Sequence, residues 1–129
     1  MRAKKPIVRV REVMKSDLDI VDGMTTVSDA LQNMKYPETR TIIIDKRHED
    51  DEYGVVMFRD VAKRVLAPDL SPESMNMYEI MYNPVIGVDA EMDVRYFTKL
   101  FDRFGLYRGP VIEAGKIIGL GSSHVIELK

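Results

Sequence analysis

An acidic run is the first group of residues whose side chains could bind something. Residues 48–52 read His-Glu-Asp-Asp-Glu, and carboxylate oxygens are the ligands that hard cations prefer. Five adjacent side chains cannot all turn towards one ion, and no glycine shapes a binding loop there. We therefore expect this run to be the solvated tip of a hairpin, without a metal.

Catalytic residue types are scarce in this sequence. It contains no cysteine, which excludes disulfides, thiolate metal sites and cysteine nucleophiles. His48 and His124 are the only histidines, and neither a metal pair nor a serine triad can be assembled around them. Gly119 and Gly121 lack the third glycine of a dinucleotide fingerprint. We expect a protein that is not an enzyme and requires no cofactor.

One aspartate and two arginines stand where strands and helices are predicted to begin. Asp60 opens a predicted helix, where a negative charge is favoured. An ionised carboxylate only accepts hydrogen bonds, so Asp60 could bind donors of a ligand, or it could simply cap the helix. Arg40 and Arg108 precede predicted strands, and Arg108 could simply be a surface arginine on a loop.

The elements that would position these residues occur twice. A Glu-x-Met pattern ending at Met14 recurs 67 residues later, at Met81. Each copy continues with a β-prone run, a helical pattern and two strand-like runs. The first copy predicts a strand at 18–21, a helix with Val27, Ala30, Leu31 and Met34 on one face, strands at 41–45 and 53–58, and a helix at 60–66. The second predicts a strand at 84–88, a helix with Val94, Phe97 and Phe101 on one face, strands at 110–113 and 116–121, and a truncated or absent last helix.

Helix ends and the linker follow from local residue types. Thr26 or Ser28 could cap the first long helix and Asp93 the second. The helix at 60–66 should end before Pro68. Residues 67–76 contain two prolines and two serines, which is typical of a linker.

Composition sets the class of protein. The chain has 129 residues, of which 45% are hydrophobic and 31% charged, with a formal net charge of −2. These values predict one soluble, globular module and make nucleic acid an unlikely partner. The basic N-terminus is not followed by an apolar run of signal-peptide length, and no stretch reaches the ~20 apolar residues that span a bilayer. We therefore expect a cytoplasmic protein without a membrane partner.

The doubled order of these features resembles the CBS (cystathionine β-synthase) domain, and two copies make the usual pair. Three local patterns carry the resemblance, which covers roughly residues 10–126: Val13-Met14 with Ile80-Met81, the strand entry at 108–113, and the run at 54–60 that ends in Asp60. The loop at 46–52 is also similar to that of small bacterial proteins that consist of a CBS pair alone.

This resemblance implies an architecture. The expected fold is α/β (α+β), with two β-α-β-β-α repeats packed sheet to sheet in pseudo-two-fold symmetry. Residues 1–129 would form one module, with repeat one at about 8–67, a linker at about 68–76 and repeat two at about 77–127. Members of the family form disc-like homodimers through their helices.

It also implies a ligand and a set of residues that bind it. The family binds AMP, ADP, ATP or S-adenosylmethionine in clefts between the repeats, usually without performing chemistry. Asp60 would accept hydrogen bonds from the ribose hydroxyls, and Arg108 would face the phosphates. The remaining residues of this site would be Met57, Arg59, and the adenine contacts Pro84, Val85 and Ile86, of which Ile86 could equally be core.

Departures from the family pattern weaken both predicted sites. Met57 stands where the family often has a Thr or Ser hydroxyl, and Val125 stands where the second ribose aspartate belongs. A lost hydrogen bond to a charged group costs about 1.5–3 kcal/mol. The second site would consist of Arg40, Ser122, His124 and Ile20, and we expect it to be weaker or empty. The alternative function is a dimeric protein-interaction module with degenerate ligand sites and a protein partner.

Overall fold

The computed structural model describes residues 6–122 except 84, 86 and 107. The chain divides into two compact units. One is the continuous stretch Asp17–Val85, called here the continuous unit. The other, called the split unit, joins the segment Met1–Ser16 to the segment Ile86–Lys129.

The helices and strands are short and follow the predicted order. In chain order they are α1 Val10–Val13, β1 Ile20–Val21, α2 Val27–Gln32, β2 Thr41–Ile44, β3 Gly54–Met57, α3 Phe58–Val61, β4 Val88–Asp89, α4 Val94–Arg103, β5 Arg108–Glu113 and β6 Lys116–Ser122. A π-helical turn, Ala62–Leu66, continues α3, and 3₁₀ turns occupy Pro37–Thr39 and Met77–Glu79.

The continuous unit is built on a three-stranded mixed sheet. Strand β1 runs parallel to β2, and β2 pairs antiparallel with β3, with Thr41 opposite Met57. All four residues of β2 are buried, which explains their uninterrupted apolar run. Helix α2 begins at the predicted cap: the Thr26 hydroxyl accepts a hydrogen bond from the Asp29 backbone N–H at 3.1 Å.

The split unit repeats this arrangement. Strand β4 lies parallel to β5, and β5 pairs antiparallel with β6 through a register shift at Val111. Helix α4 is capped, as predicted, by Asp93. Its inner face carries Phe97 and Phe101, which are fully buried with ring centroids 4.6 Å apart.

The segment that opens the first predicted repeat belongs to the core of the split unit. Val10 is fully buried, and its backbone N–H donates to the Met92 carbonyl at 2.8 Å. Lys15 and Leu120 exchange two backbone hydrogen bonds, at 2.9 and 2.7 Å. The matching Met77–Glu79 turn lies in the continuous unit, where Met77 and Ile80 are buried in the core.

The fold is therefore α/β with two three-stranded mixed sheets, as predicted, but all six strands and the helix predicted at 60–66 have other bounds. The strand predicted at 84–88 is wrong, because Val85 and Gly87 lie outside any strand and β4 covers only Val88–Asp89. The first strand starts at Ile20 rather than at residue 18. The Asp19 carboxylate accepts hydrogen bonds from the Lys35 and Tyr36 backbone N–H groups in the loop after α2. Helix α3 starts at Phe58 rather than Asp60.

Some predictions concern residues that the structure does not describe. They are those on Pro84, Ile86, His124 and Val125 and on the end of the second repeat. Among the described residues, no helix is long and apolar enough to cross a bilayer.

Candidate functional site

Asp60 is a buried carboxylate at the start of α3. Its exposed fraction is 3%, and its Oδ2 accepts a hydrogen bond from the Met57 backbone N–H at 2.8 Å. Asp60 is the third residue of the helix and is not its N-cap. Its carboxylate instead accepts the N–H of the N-cap residue, Met57, and so closes the first turn. No described residue donates a hydrogen bond to Oδ1. One oxygen is thus used by the fold and the other remains able to accept donors of a ligand.

Arg40 lies beside the start of the same helix. It follows the Pro37–Thr39 turn and precedes β2, and its carbonyl accepts a hydrogen bond from the Phe58 N–H at 3.1 Å. Its backbone is left-handed, with φ 54° and ψ 26°. The continuous unit therefore brings Arg40, Met57, Arg59 and Asp60 to one end of its sheet. Met57 is half-buried and Arg59 is exposed.

The arginines of the described chain fall into two groups. Five of them hydrogen-bond, pair with a carboxylate or stack on a tyrosine ring: Arg9, Arg11, Arg47, Arg64 and Arg95. The side chains of the other four make no such contact with a described residue: Arg40, Arg59, Arg103 and Arg108. Three of these four are the arginines that sequence analysis assigned to ligand sites. Their guanidinium groups are not engaged by the described part of the fold.

The remaining predicted residues lie in different places. Arg108 and Ser122 face each other at the ends of β5 and β6 in the split unit, and both are half-buried. Ile20 is 45% exposed on β1, and Val85 is half-buried outside the strands. The structure thus places Arg40 near Asp60 and Arg108 near Ser122. The converse grouping, with Arg108 serving Asp60 and Arg40 serving Ser122, stays a prediction.

The acidic run forms a hairpin tip between β2 and β3. Residues 48–50 and Glu52 are exposed and Asp51 is half-buried, so the predicted solvated hairpin tip is confirmed. Asp51 accepts hydrogen bonds from both the backbone N–H and the Nε of Arg47, each at 3.0 Å. First the backbone N–H and then the guanidinium hold the pKa of Asp51 well below its usual range. Among the described residues, no three acidic or histidine side chains converge as a metal site would require.

A cleft of about 420 Å³ opens next to this hairpin in the continuous unit. Apolar residues form part of its lining, among them Ile44, Tyr78 and Met81. The polar part consists of Asp22, Asp45, Arg47, Asp51 and Glu52. It lies where β2 ends and β3 begins, whereas Asp60 follows the end of β3. Sequence analysis did not indicate this cleft, since its lining residues come from separate segments.

Comparison with known proteins identifies the repeat. The family model of the CBS domain matches residues 10–67. A hexameric CBS-CP12 protein from bloom-forming cyanobacteria is 34% identical, and its structure superposes with a TM-score of 0.88 over 95% of this chain and 68% of that chain. An uncharacterized protein of Methanopyrus kandleri is 27% identical over 114 residues, which are 88% of this chain and 58% of the relative. The chain thus spans little more than half the length of that relative.

A more distant structure shares the fold. It is the CBS domain pair of protein MJ0100, in complex with 5′-methylthioadenosine and S-adenosyl-L-methionine. It is 18% identical, with a TM-score of 0.79, and the match covers 95% of each chain. At this identity the likeness concerns the fold alone.

Proposed function

The chain belongs to the CBS domain family, and on that premise we propose that it is a non-catalytic regulatory module that binds an adenosine-containing ligand. The ligand class is that of AMP, ADP, ATP or S-adenosylmethionine. The adenosyl compounds bound by the MJ0100 pair support this class.

The observation that carries the proposal is that only one of the two Asp60 carboxylate oxygens accepts a hydrogen bond from a described residue. The Met57 N–H supplies one donor to Oδ2, while no described residue supplies one to Oδ1. A ribose offers two adjacent hydroxyl donors, which match the acceptor-only chemistry of this group.

The unpaired arginines favour a phosphorylated ligand. Arg40 and Arg59 flank Asp60 along the same end of the continuous unit and pair with no described carboxylate. A guanidinium binds phosphate through charge-assisted hydrogen bonds. AMP, ADP and ATP carry such groups at the ribose 5′ position and S-adenosylmethionine does not, so we propose that the adenine nucleotides bind more tightly. Arg108 remains a further predicted phosphate ligand.

Met57 limits the affinity. It stands at the N-cap of α3, where the family often has a hydroxyl, and its thioether cannot donate a hydrogen bond. A missing hydrogen bond to a charged group corresponds to about a ten- to hundredfold loss of affinity. We propose a sensor of modest affinity.

A thermal-shift panel tests this function. AMP, ADP, ATP, S-adenosylmethionine and, as a negative control, guanosine monophosphate are each added at millimolar concentration. A ligand at 100 times its dissociation constant stabilises by about 2.7 kcal/mol, which raises the melting temperature by several degrees for a chain of this size. If no adenosine compound raises the melting temperature, the proposed function is wrong.

The exposed apolar side of the split unit supports a second candidate, a homodimeric interaction module. Tyr96 is 70% exposed, Phe104 56% and Ile7 53%. Together with Leu100, Tyr96 and Ile7 line a shallow concavity of about 790 Å³. Four charged side chains also form part of its lining: Arg9, Asp89, Glu91 and Asp93. Large exposed apolar side chains bordered by polar ones mark protein interfaces, and we propose that α4 contributes to a homodimer. The hexameric state of the CBS-CP12 protein is consistent with self-association.

Sedimentation velocity tests the dimer. We expect the wild-type chain to sediment as a dimer and Tyr96→Asp as a monomer, because the substitution places a charge in the apolar contact. Leu70→Asp is the matched control, since Leu70 is 45% exposed in the linker and should leave the dimer intact. A wild-type chain that is monomeric at tens of micromolar would contradict this proposal.

A further inference from the structure

Arg40 adopts a backbone conformation that arginine rarely takes. Its φ of 54° and ψ of 26° are left-handed, a region that is unfavourable for residues with a Cβ other than Asn or Asp. The side chain is exposed, so burial of Arg40 itself does not offset the strain. Strained residues at candidate sites persist only where surrounding contacts hold them.

Two buried threonines on either side supply those contacts. Thr39 is 5% exposed and Thr41 is 2% exposed. The Thr41 hydroxyl donates to the Thr39 carbonyl at 2.9 Å, and the Thr41 N–H donates to the Thr39 hydroxyl at 3.3 Å. The Thr39 hydroxyl has one proton to share between the carbonyls of Tyr36, at 2.9 Å, and Thr41, at 3.2 Å. These bonds cross over Arg40 and fix its φ and ψ.

The same turn is attached to the helix that carries Asp60. The Arg40 carbonyl accepts the Phe58 N–H, and Thr41 is paired with Met57. The backbone from which the Arg40 side chain extends is therefore fixed relative to the start of α3. The Arg40 guanidinium makes no hydrogen bond, ion pair or ring contact with a described residue, so the turn holds the backbone of Arg40 and leaves the charged end of its side chain for another partner.

We infer that Thr39 and Thr41 are positioning residues, which hold Arg40 in its left-handed conformation so that its guanidinium selects phosphorylated adenosine ligands over uncharged nucleosides at Asp60. This inference rests on the proposed function and adds the origin of its selectivity. A residue whose backbone is already held in the bound conformation loses less conformational freedom when the ligand binds. The threonines themselves do not touch the ligand.

The test compares AMP with adenosine, which has the same base and ribose but no phosphate. Dissociation constants of both are measured by calorimetry for the wild type, Arg40→Gly, Thr41→Val and Thr41→Ser. The readout is the ratio of the adenosine constant to the AMP constant, which a merely structural role would not change. Glycine accepts the left-handed conformation, so Arg40→Gly removes the guanidinium while keeping the turn.

We expect the ratio to fall about tenfold or more in Arg40→Gly, because this variant loses the hydrogen bonds to the charged phosphate. Thr41→Val loses the hydroxyl and keeps the shape of the side chain. It should lower the ratio at least threefold and leave the affinity for adenosine unchanged, which is on the order of half of the free-energy effect expected for Arg40→Gly. Thr41→Ser restores the hydroxyl and should restore the ratio. If Thr41→Val does not fold, Thr39→Val is measured instead, because it removes the other hydroxyl.

The outcomes separate this inference from the proposed function. If the wild type binds neither AMP nor adenosine, the proposed function fails and this inference with it. If both bind and Arg40→Gly leaves the ratio unchanged, the function stands and Arg40 is not the selecting group. If Arg40→Gly lowers the ratio but neither threonine variant does, the positioning role is overturned.

Discussion

Asp60 closes the first turn of α3 and keeps one carboxylate oxygen free of hydrogen bonds from the described residues, so the two roles that sequence analysis treated as alternatives are compatible, and the ligand role stays a prediction. A carboxylate at a helix start is equally suited to close the helix and to accept hydrogen bonds from a ligand. The structure assigns Oδ2 to the Met57 N–H, and Oδ1 accepts nothing from the described residues. The residue type and its position suggested both roles, but only the structure shows which of the two oxygens the helix uses.

At the same scale, Asp93 provides a test of the electrostatics. Its carboxylate caps α4 by accepting the Arg95 N–H at 2.9 Å, and it pairs with the Arg95 guanidinium at 2.7 Å. The guanidinium hydrogen bond, followed by the backbone N–H, lowers the pKa of Asp93 to about 2. Because this is below its value of about 3.9 in an unfolded chain, the ionised group stabilises the fold fully above about pH 4 and loses that contribution as the pH falls towards 2.

Asp93→Asn isolates this charge, since asparagine is also a good N-cap. Urea unfolding of both proteins at several values between pH 6 and pH 2.5 measures the effect. We expect the wild type to be the more stable near neutral pH and the difference in unfolding free energy to shrink as the pH falls. A difference that does not change with pH would show that the ionised carboxylate contributes nothing specific.

Elements were predicted well where the signal is local. Apolar periodicity and a polar cap placed α2 and α4, with Thr26 and Asp93 as caps. The run at 84–88 misled because its β-prone residues do not reveal where a partner strand lies. Of the described residues in this part of the chain, only Val88 and Asp89 pair with β5, opposite Val111 and Ile112.

The attachment of the N-terminal segment depends on one glycine. A Cβ at Gly119 would lie 2.7 Å from the Lys15 carbonyl oxygen and 2.8 Å from the Met14 sulfur. Gly119 thus allows the segment to pack against β6, beside the paired Lys15 and Leu120. We expect Gly119→Ala to destabilise the protein by about 1–3 kcal/mol, as overpacking does, and to speed hydrogen exchange at the Lys15 and Leu120 amides.

The control for this prediction is Gly115→Asn. Gly115 has φ +77°, and a Cβ there would meet no atom within 4 Å. Asparagine tolerates left-handed backbone, so this variant should unfold close to the wild-type midpoint. If Gly119→Ala were as stable as Gly115→Asn, the close approach would not be what holds the segment.

On the scale of the whole molecule, the repeat was visible in the sequence but its packing was not. The Glu-x-Met patterns ending at Met14 and Met81 are equivalent in sequence. Each stands at the start of one predicted repeat but packs in the unit that holds most of the other repeat. Val10 lies in the core of the split unit, and Met77 lies in the core of the continuous unit. Local periodicity carries no information about such pairing, because the contacts join residues about eighty positions apart, as Val10 and Met92 do.

The candidate site was predictable as a set of residue types and not as a geometry. Asp60, Arg59 and Met57 follow from one pattern and lie together at the start of α3. The sequence could not show that Arg40 is held there by a left-handed turn, since nothing about a Thr-Arg-Thr run indicates positive φ. That turn depends on hydrogen bonds of buried threonines, which appear only once the chain has folded.

The central claim is that Asp60 anchors an adenosine ligand, and calorimetric titration of AMP into Asp60→Asn tests it most directly. Asparagine can still accept the Met57 N–H but lacks the charge and the second acceptor. The matched control is Glu79→Gln, because Glu79 makes the same kind of bond to the Asn76 N–H, at 2.7 Å, in the same unit. We predict that AMP binds the wild type and Glu79→Gln equally and binds Asp60→Asn about tenfold or more weakly. Equal affinity of Asp60→Asn and the wild type would contradict the account.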